Sequence, residues 1–459
     1  MTIIIKLSVF ILIFLPGFKS YARNDDDDEF DVNAFINGND NSSEKNISAE
    51  SSENKPDNLQ NSSNSIKLHG IFENQLNLML LNAKNSSTHT AIYDYVQLRV
   101  DLDASLKGDI EIKADGVARL FAGDTQLPIG EVIPQKTIDA LLQKDPRFSM
   151  LTDQNYNLEN DYYLDNAYIK IPAGDVLFTF GKQPTGQGAG YVWNPTDIFT
   201  KKDLLDPTYQ QKGEIAGRVM IPFGKPASLE MMAVPDGRFK QWSAGGRLNL
   251  RLGRISLGAV SYTGNMTSGD FENSMDSIIK AVSNGQNPED GIIKKSGNRV
   301  MTGVEIVADI KGVRLWAEGG YNFAKKHKDW WELTGGGEYF FPFETHIMVE
   351  YFHFGMGPVQ HNGYYSYNDW MGVMNGDLKM LGRDFLFESI DHPIGDFWTL
   401  GLSSFQSFTD NSAIVTGDIH WNFAENADLW LMIAGAIGEK SDFFSSSKGQ
   451  SWLRLQLFF

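Results

Sequence analysis

Ser451-Trp452-Leu453-Arg454-Leu455-Gln456-Leu457-Phe458-Phe459 closes the chain. Leu453, Leu455, Leu457 and Phe459 fall on one face of an extended strand, with Trp452, Arg454 and Gln456 on the other. The strand runs to an aromatic residue without a turn or a cap. A terminal strand that is apolar on one side and polar on the other suits a closed sheet with lipid outside and water inside. A soluble edge strand also alternates, so the weight of these nine residues depends on repetition upstream.

The pattern does repeat. Val96, Leu98, Val100, Leu102, Ala104 and Leu106 share one face of the stretch 95–106, opposite Tyr95, Gln97, Arg99, Asp101, Asp103 and Ser105. Glu111, Lys113 and Asp115 alternate with Ile110, Ile112 and Ala114, and Arg247, Asn249 and Arg251 with Leu248, Leu250 and Leu252. Asp428, Trp430 and Met432 oppose Leu429, Leu431 and Ile433. Charges at every second position would be wasteful in a sandwich core but suit a hydrated lumen.

Read on this period, residues 66–459 form eighteen strands, from 66–82 to 450–459; merging the weak strand 382–390 and a neighbour leaves sixteen. The connections alternate in length. Even ones are short, among them Lys107-Gly108, Pro172-Ala173-Gly174, Gly253-Arg254, Phe341-Pro342-Phe343, Asp391-His392-Pro393 and Ala424-Glu425-Asn426. The long ones, 123–160, 184–212, 265–298 and 356–381, are all odd. Short turns on one rim and long loops on the other predict an all-β, transmembrane, antiparallel up-and-down barrel with both termini on the short-turn, periplasmic side.

Bulk composition agrees without deciding. No internal run reaches the ~18–20 apolar residues of a membrane helix. There is no cysteine, so a disulfide framework is excluded. Lys6, the apolar run Leu7 to Leu15 and Ser20-Tyr21-Ala22 read as a secretory signal over 1–22, cleaved after Ala22. Residues 23–65 carry eleven acids against Arg23, Lys45 and Lys55 and are otherwise rich in Asn and Ser, which predicts a disordered acidic periplasmic tail. The net charge of −18 offers no basic stripe for phosphates, so nucleic acid is not an expected partner.

The most distinctive segment is Gly181-Lys182-Gln183-Pro184-Thr185-Gly186-Gln187-Gly188-Ala189-Gly190-Tyr191-Val192-Trp193-Asn194-Pro195-Thr196-Asp197-Ile198-Phe199, continuing through Asp206-Pro207 to Gly213. It resembles a group of bacterial outer-membrane porin-like barrels. In these a strand ending in Gly-Arg-Gln leads to Trp-Asn-Pro-Thr-Asp and then an Asp-Pro before the next strand. Lys182 stands where Arg is commoner, and Gln187-Gly188 where Trp-Gly is commoner. The close motif covers about 40 residues. The resemblance implies an outer-membrane barrel whose C-terminal Phe459 marks the last strand for the barrel-assembly machinery.

The residues of this loop predict order. Asn194 before Pro195 is pushed out of helical conformation, Asp197 caps a local turn, and Trp193 and Phe199 need a dry seat. The loop 184–212 is therefore expected either to fold inward or to pack as a rigid external loop. The inward reading places Trp193, Asn194, Asp197, Lys201, Lys202, Asp203 and Asp206 at a constriction. Lumen charges on the strands are Arg99, Lys113, Arg247, Arg251 and Arg314 against Asp101, Asp103, Glu111, Asp115, Glu318 and Glu350. So even a mixture predicts no clear charge selectivity, and many of these groups should pair across strands.

Catalysis is not expected. Asp418 and His420 share a strand face, as do His346 and Glu350, but no Gly-x-Ser-x-Gly or His-Glu-x-x-His occurs. No cofactor or metal site is predicted. The expected function is passive diffusion of small hydrophilic solutes across an outer membrane, with membrane lipid around the barrel. The alternative is a barrel that binds, anchors or exports a surface polysaccharide. Trp330, Trp331, Tyr364, Tyr365, Tyr367 and Trp370 would then stack on sugars, or else form the outer aromatic girdle.

Overall fold

The computed structural model describes residues 64–82, 88–149, 155–199, 212–237, 239–284, 286, 288–325 and 327–459. The signal segment 1–22, the tail up to residue 63, and Lys201, Lys202, Asp203 and Asp206 lie outside the described residues. Within them, eighteen antiparallel strands close into one barrel. They are β1 (Ser65–Asn82), β2 (Thr88–Leu106), β3 (Ile110–Gly123), β6 (Asp161–Ala173), β7 (Val176–Gln183), β8 (Glu214–Pro222), β9 (Ala227–Pro235), β10 (Trp242–Leu252) and β11 (Ile255–Asp270) in the first half. The second half runs β12 (Ile293–Ile310), β13 (Val313–Ala324), β14 (Trp330–Phe340), β15 (His346–Phe354), β16 (Asp384–Ile394), β17 (Trp398–Ser407), β18 (Ser412–Ala424), β19 (Ala427–Ile437) and β20 (Gly449–Phe458). A two-stranded ribbon, β4 (Gln126–Pro128) with β5 (Asn155–Asn157), sits in the first long loop.

Closure comes from the segment that ends the chain. Strand β20 pairs with β1 over Ile71↔Phe458 to Leu80↔Gly449. Phe459 extends the ladder: Gly70 N donates to its carbonyl at 2.8 Å, and Phe459 N donates to the Gly70 carbonyl at 3.0 Å. Every strand of the barrel thus has two neighbours and the barrel sheet has no open edge, as a bilayer-spanning sheet requires.

The two faces separate by chemistry as the two-residue period predicts. Leu98, Val304, Leu333, Val349, Leu402, Ile433 and Leu453 are exposed on the outside. Aromatic residues flank this aliphatic band: Phe223, Phe343, Phe397, Trp398 and Phe423 at the short-turn rim, and Tyr162, Trp242, Tyr321, Phe323, Trp331 and Phe408 at the other. From Trp398 to Phe408, a rise of ~3.3 Å per residue at a tilt of ~40° gives a band of about 25 Å. Glu388 interrupts it, its carboxylate accepting from Gln406 Nε2 at 2.8 Å.

Two of the turns fall later than the sequence reading placed them. Pro172 lies inside β6, paired with Leu177, and the turn is at Gly174-Asp175. Asp391-His392-Pro393 likewise lies inside β16, with Pro393 opposite Thr399. The ladder on the other side of each strand has already ended, at Lys170 and at Asp391. The missing N–H therefore faces no partner, and proline is tolerated there as on an edge. Pro222 and Pro235 obey the same rule, beyond the last pairs at Met220 and Ala233.

The outward face generates a stability prediction. Leu431→Arg puts a charge on the exposed apolar band of β19. It should cost about 2–4 kcal/mol, as for a charge near the bilayer midplane. Urea unfolding in phospholipid vesicles reads the loss; no measurable loss would mean that this face does not contact lipid.

Candidate functional site: an inward loop held by wall carboxylates

The described part of the connection between β7 and β8 lies against the lumen face of β12 to β15. Gly190 makes this course possible, because a Cβ there would collide with the Trp193 carbonyl. Asn194 Nδ2 donates to the Gln187 carbonyl at 2.7 Å, closing the loop on itself. Asp197 accepts from Gln187 N at 3.2 Å and Phe199 N at 2.8 Å, stapling its two limbs.

Two wall carboxylates receive the loop's backbone. Glu350 accepts from Tyr191 N at 2.7 Å, Val192 N at 3.0 Å and Trp193 N at 2.7 Å, and from the Trp316 indole at 2.6 Å. Glu318 accepts from Ala189 N at 2.6 Å, Gly190 N at 3.1 Å and Thr196 N at 2.6 Å, and from Thr196 Oγ1 at 2.7 Å. The Thr196 hydroxyl is also 2.8 Å from Glu305, which pairs with Arg247. Charge-assisted bonds of this kind are about twice as strong as neutral ones, and successive amides form a ready anion cradle.

The apolar side of the loop is seated equally firmly. The Trp193 ring stacks on Phe352 at 5.3 Å and meets Phe405 edge-on at 6.1 Å, with its indole 3.1 Å from Met380 Sδ. Phe199 packs edge-on against Tyr262 at 5.0 Å. Burial, with the charges of Asp391, Glu338 and Glu350 nearby, pushes the Tyr191 hydroxyl far above the usual tyrosine range. It stays neutral at any physiological pH.

The remaining long loops join this core over the loop-side mouth. Trp370, Met371 and Met374 from the helix Tyr367–Met374 cluster with Ile138 and Leu141 of the helix Gln135–Lys144 and with Phe443 and Phe444. Ser366 and Asp369 form a capping box at the start of the first helix. Lumen-facing Phe352, Phe385, Phe387 and Phe405 belong to the same core, so the wall from β15 to β17 is aromatic where charge alternation alone predicts water.

Apart from Arg247, which pairs with Glu305, the lumen charges named from the sequence fall into three settings. Glu318 and Glu350, at 1% and 0% exposure, lie under the loop and are corrected from pore-lining to loop-holding groups. Arg99, Asp101 and Asp115 form a buried knot: the guanidinium reaches Asp101 at 2.7 Å, Asp115 at 2.9 Å and Asp165 at 2.6 Å. An irregularity in the β3–β6 ladder at Asp115/Gly116 brings Asp165 and Asn166 to this knot together. The third group stays partly exposed: Lys113 near Asp103 at 3.9 Å, Glu111 with Lys170 at 3.0 Å, Arg314 near Glu338 at 3.8 Å, and exposed Arg251.

The aromatic residues offered as sugar platforms or girdle divide as well. Tyr365, Tyr367, Trp370 and Trp330 are buried, Tyr364 is half-buried, and Trp331 stands on the outer face stacked on His353 at 4.1 Å. Among the described residues, no group of three or more His, Asp or Glu is placed to hold a metal. Sequence reasoning missed Glu305, Asp165 and the lumen aromatics. Phe385 and Phe387, on the same parity as Ser389 and Asp391, were the available signal for the last.

Fold and site together define a closed eighteen-stranded β-barrel with a loop pinned inside it. No protein-family model matches the chain, and no curated protein matches it in sequence. Among solved structures it is similar to the in-vitro folded trimer form of OmpT, an outer membrane protein of Vibrio cholerae, at 10% identity and TM-score 0.43, over 87% of this chain and 100% of that one. It is also similar to Salmonella typhi OmpF in complex with daunomycin, at 11% identity and TM-score 0.40, over 86% and 98%. A triple mutant of Rhodopseudomonas blastica porin gives 10% identity and TM-score 0.41, over 86% and 100%.

Replacing Glu350 with Ala strands the amides of Tyr191, Val192 and Trp193 and the Trp316 indole. Each buried donor left without a partner typically costs about 1–3 kcal/mol. Limited proteolysis of the purified barrel should then cut within 187–199, a segment resistant in the parent. Equal resistance in both would contradict this anchoring.

Proposed function

We propose that this protein is a bacterial outer-membrane, porin-like channel for passive diffusion of small hydrophilic solutes, narrowed by the loop that follows β7. The observation that carries the reading is the pair Glu318 and Glu350, which draws loop backbone into the lumen of a barrel of a size that otherwise leaves an aqueous channel. The exposed apolar band of about bilayer thickness supports the membrane setting. The likeness of Trp193-Asn194-Pro195-Thr196-Asp197 to the porin-like barrels supports the compartment.

In this reading the partly exposed mixed charges, Lys113, Asp103, Glu111, Arg314 and Arg251, line the hydrated side of the lumen. Both signs are present, so selectivity by charge should be weak. The signal segment 1–22 directs export, the tail 23–65 stays in the periplasm, and β20 ending at Phe459 engages the barrel-assembly machinery. The polysaccharide reading loses its main support, because Tyr365, Tyr367 and Trp370 are packed against other side chains and present no free ring face.

Deleting 187–205 should raise the single-channel conductance in planar bilayers and speed liposome swelling by neutral sugars. An unchanged conductance would sink the constriction, and absence of any conductance in the parent would sink the channel.

A further inference from the structure

We propose that the lumen wall carries a binding site for a primary alkylammonium group, built by Asp391 and Asp418 across Gly401. The inference deepens the channel reading and rests on it, since the ligand must reach a lumen-facing wall. Register sets the frame: Asp391 of β16 pairs with Gly401 of β17, which pairs on its other side with Asp418 of β18. The two carboxylates are thus two strand spacings apart, about 10 Å between backbones, with only a glycine between them. Ile390 and Ile419, their chain neighbours, are exposed on the outer face, so both carboxylates point inward.

Gly401 puts no side chain of its own between them. A Cβ there would collide with Asp418 Oδ1, which shows that this carboxylate leans over the glycine toward Asp391. The next register step away from the turns is Ser389↔Ser403↔Thr416, a row of hydroxyls. Beyond it stand Phe387 and Phe405, with ring centroids 4.6 Å apart.

The oxygens of this shelf are unsatisfied. Asp391 Oδ1, Asp418 Oδ1, Ser389 Oγ and Thr416 Oγ1 have no hydrogen-bond partner among the described residues. Their residues are 7%, 5%, 7% and 0% exposed, so bulk water does not compensate them. A buried acceptor left unpaired costs about 1–3 kcal/mol, more when charged, and calls for a donor. The facing titratable groups do not supply one to Asp418. His346 Nδ1 lies 3.3 Å from Asp391 Oδ2, and His420 is 3.3 Å from Asp428.

The chemistry selects the ligand. An ammonium head offers three donors and one positive charge to two converging carboxylates and their hydroxyls. Its methylene stem, laid along the hydroxyl row, finds apolar cover at Phe387 and Phe405. Two carboxylates with neutral hydroxyls are few ligands for a divalent ion.

Isothermal titration of the detergent-purified full chain with n-butylammonium chloride tests the site, with n-butanol and sodium chloride as controls. Saturable binding of butylammonium, absent for butanol and not displaced by equal sodium, supports it. So does a weakening of at least tenfold in Asp418→Asn and in Gly401→Ala, with Asp175→Asn in a short turn binding like the parent. Heat-modifiable migration verifies the folded barrel, and if Asp418→Asn fails to fold, Gly401→Ala decides. Equal binding by the parent and the folded variants, by butanol, or displacement by sodium overturns the assignment. Conductance measured on the same preparation separates the two readings. A conducting barrel that binds no butylammonium overturns this site alone, whereas a binding barrel that does not conduct overturns the channel.

Discussion

Glu318 and Glu350 are carboxylates with essentially no contact with solvent, each surrounded by backbone N–H groups of one loop. A buried anion is tolerated only where hydrogen bonds replace the water it has lost. The loop likewise turns its amides inward without a strand to pair with, which is tolerable only where acceptors await them. Each side therefore satisfies the other. The position of Trp193, its stacking on Phe352 and the aromatic core under the long loops all follow once the two carboxylates have fixed the segment from Ala189 to Thr196.

The consequence is an asymmetric lumen. Along β15 to β17 the loop-side part of the inner face is aromatic and joined to loop side chains in a single core, as in the interior of a soluble domain. Along β1 to β3, β6 and β10 the inner face is ionic, with Arg99 knotted to three acids and Lys113, Glu111 and Arg251 left closer to solvent. The knot around Arg99 stiffens that side, since removing any one partner would leave charge buried and uncompensated.

Much of the architecture was legible in the sequence because one force dominates it. Lipid outside and water inside impose a strict period of two on Leu98, Leu248, Leu431 and Leu453, and closure imposes even strand number and alternating loop length. Proline misled at 172 and 393 because its usual meaning as punctuation ignores whether the neighbouring ladder has already ended. The loop's Trp193 and Asp197 stood out as ordered residues, but their partners did not. Glu350 and Glu111 are identical as letters on a lumen face; only the loop's three-dimensional course decides which one is buried beneath it. The same holds for Asp165, whose place beside Arg99 depends on an irregularity in the register with β3.

The central claim is that Glu318 and Glu350 hold the loop's backbone inside the barrel, and amide hydrogen exchange addresses those bonds one by one. Residue-resolved exchange of the reconstituted barrel should show the amides of Ala189, Gly190, Tyr191, Val192, Trp193 and Thr196 protected to the same order as strand amides, with protection lost in Glu318→Gln/Glu350→Gln while the strands keep theirs. Exchange of these six amides at the rate of an open loop in the parent protein would contradict the account.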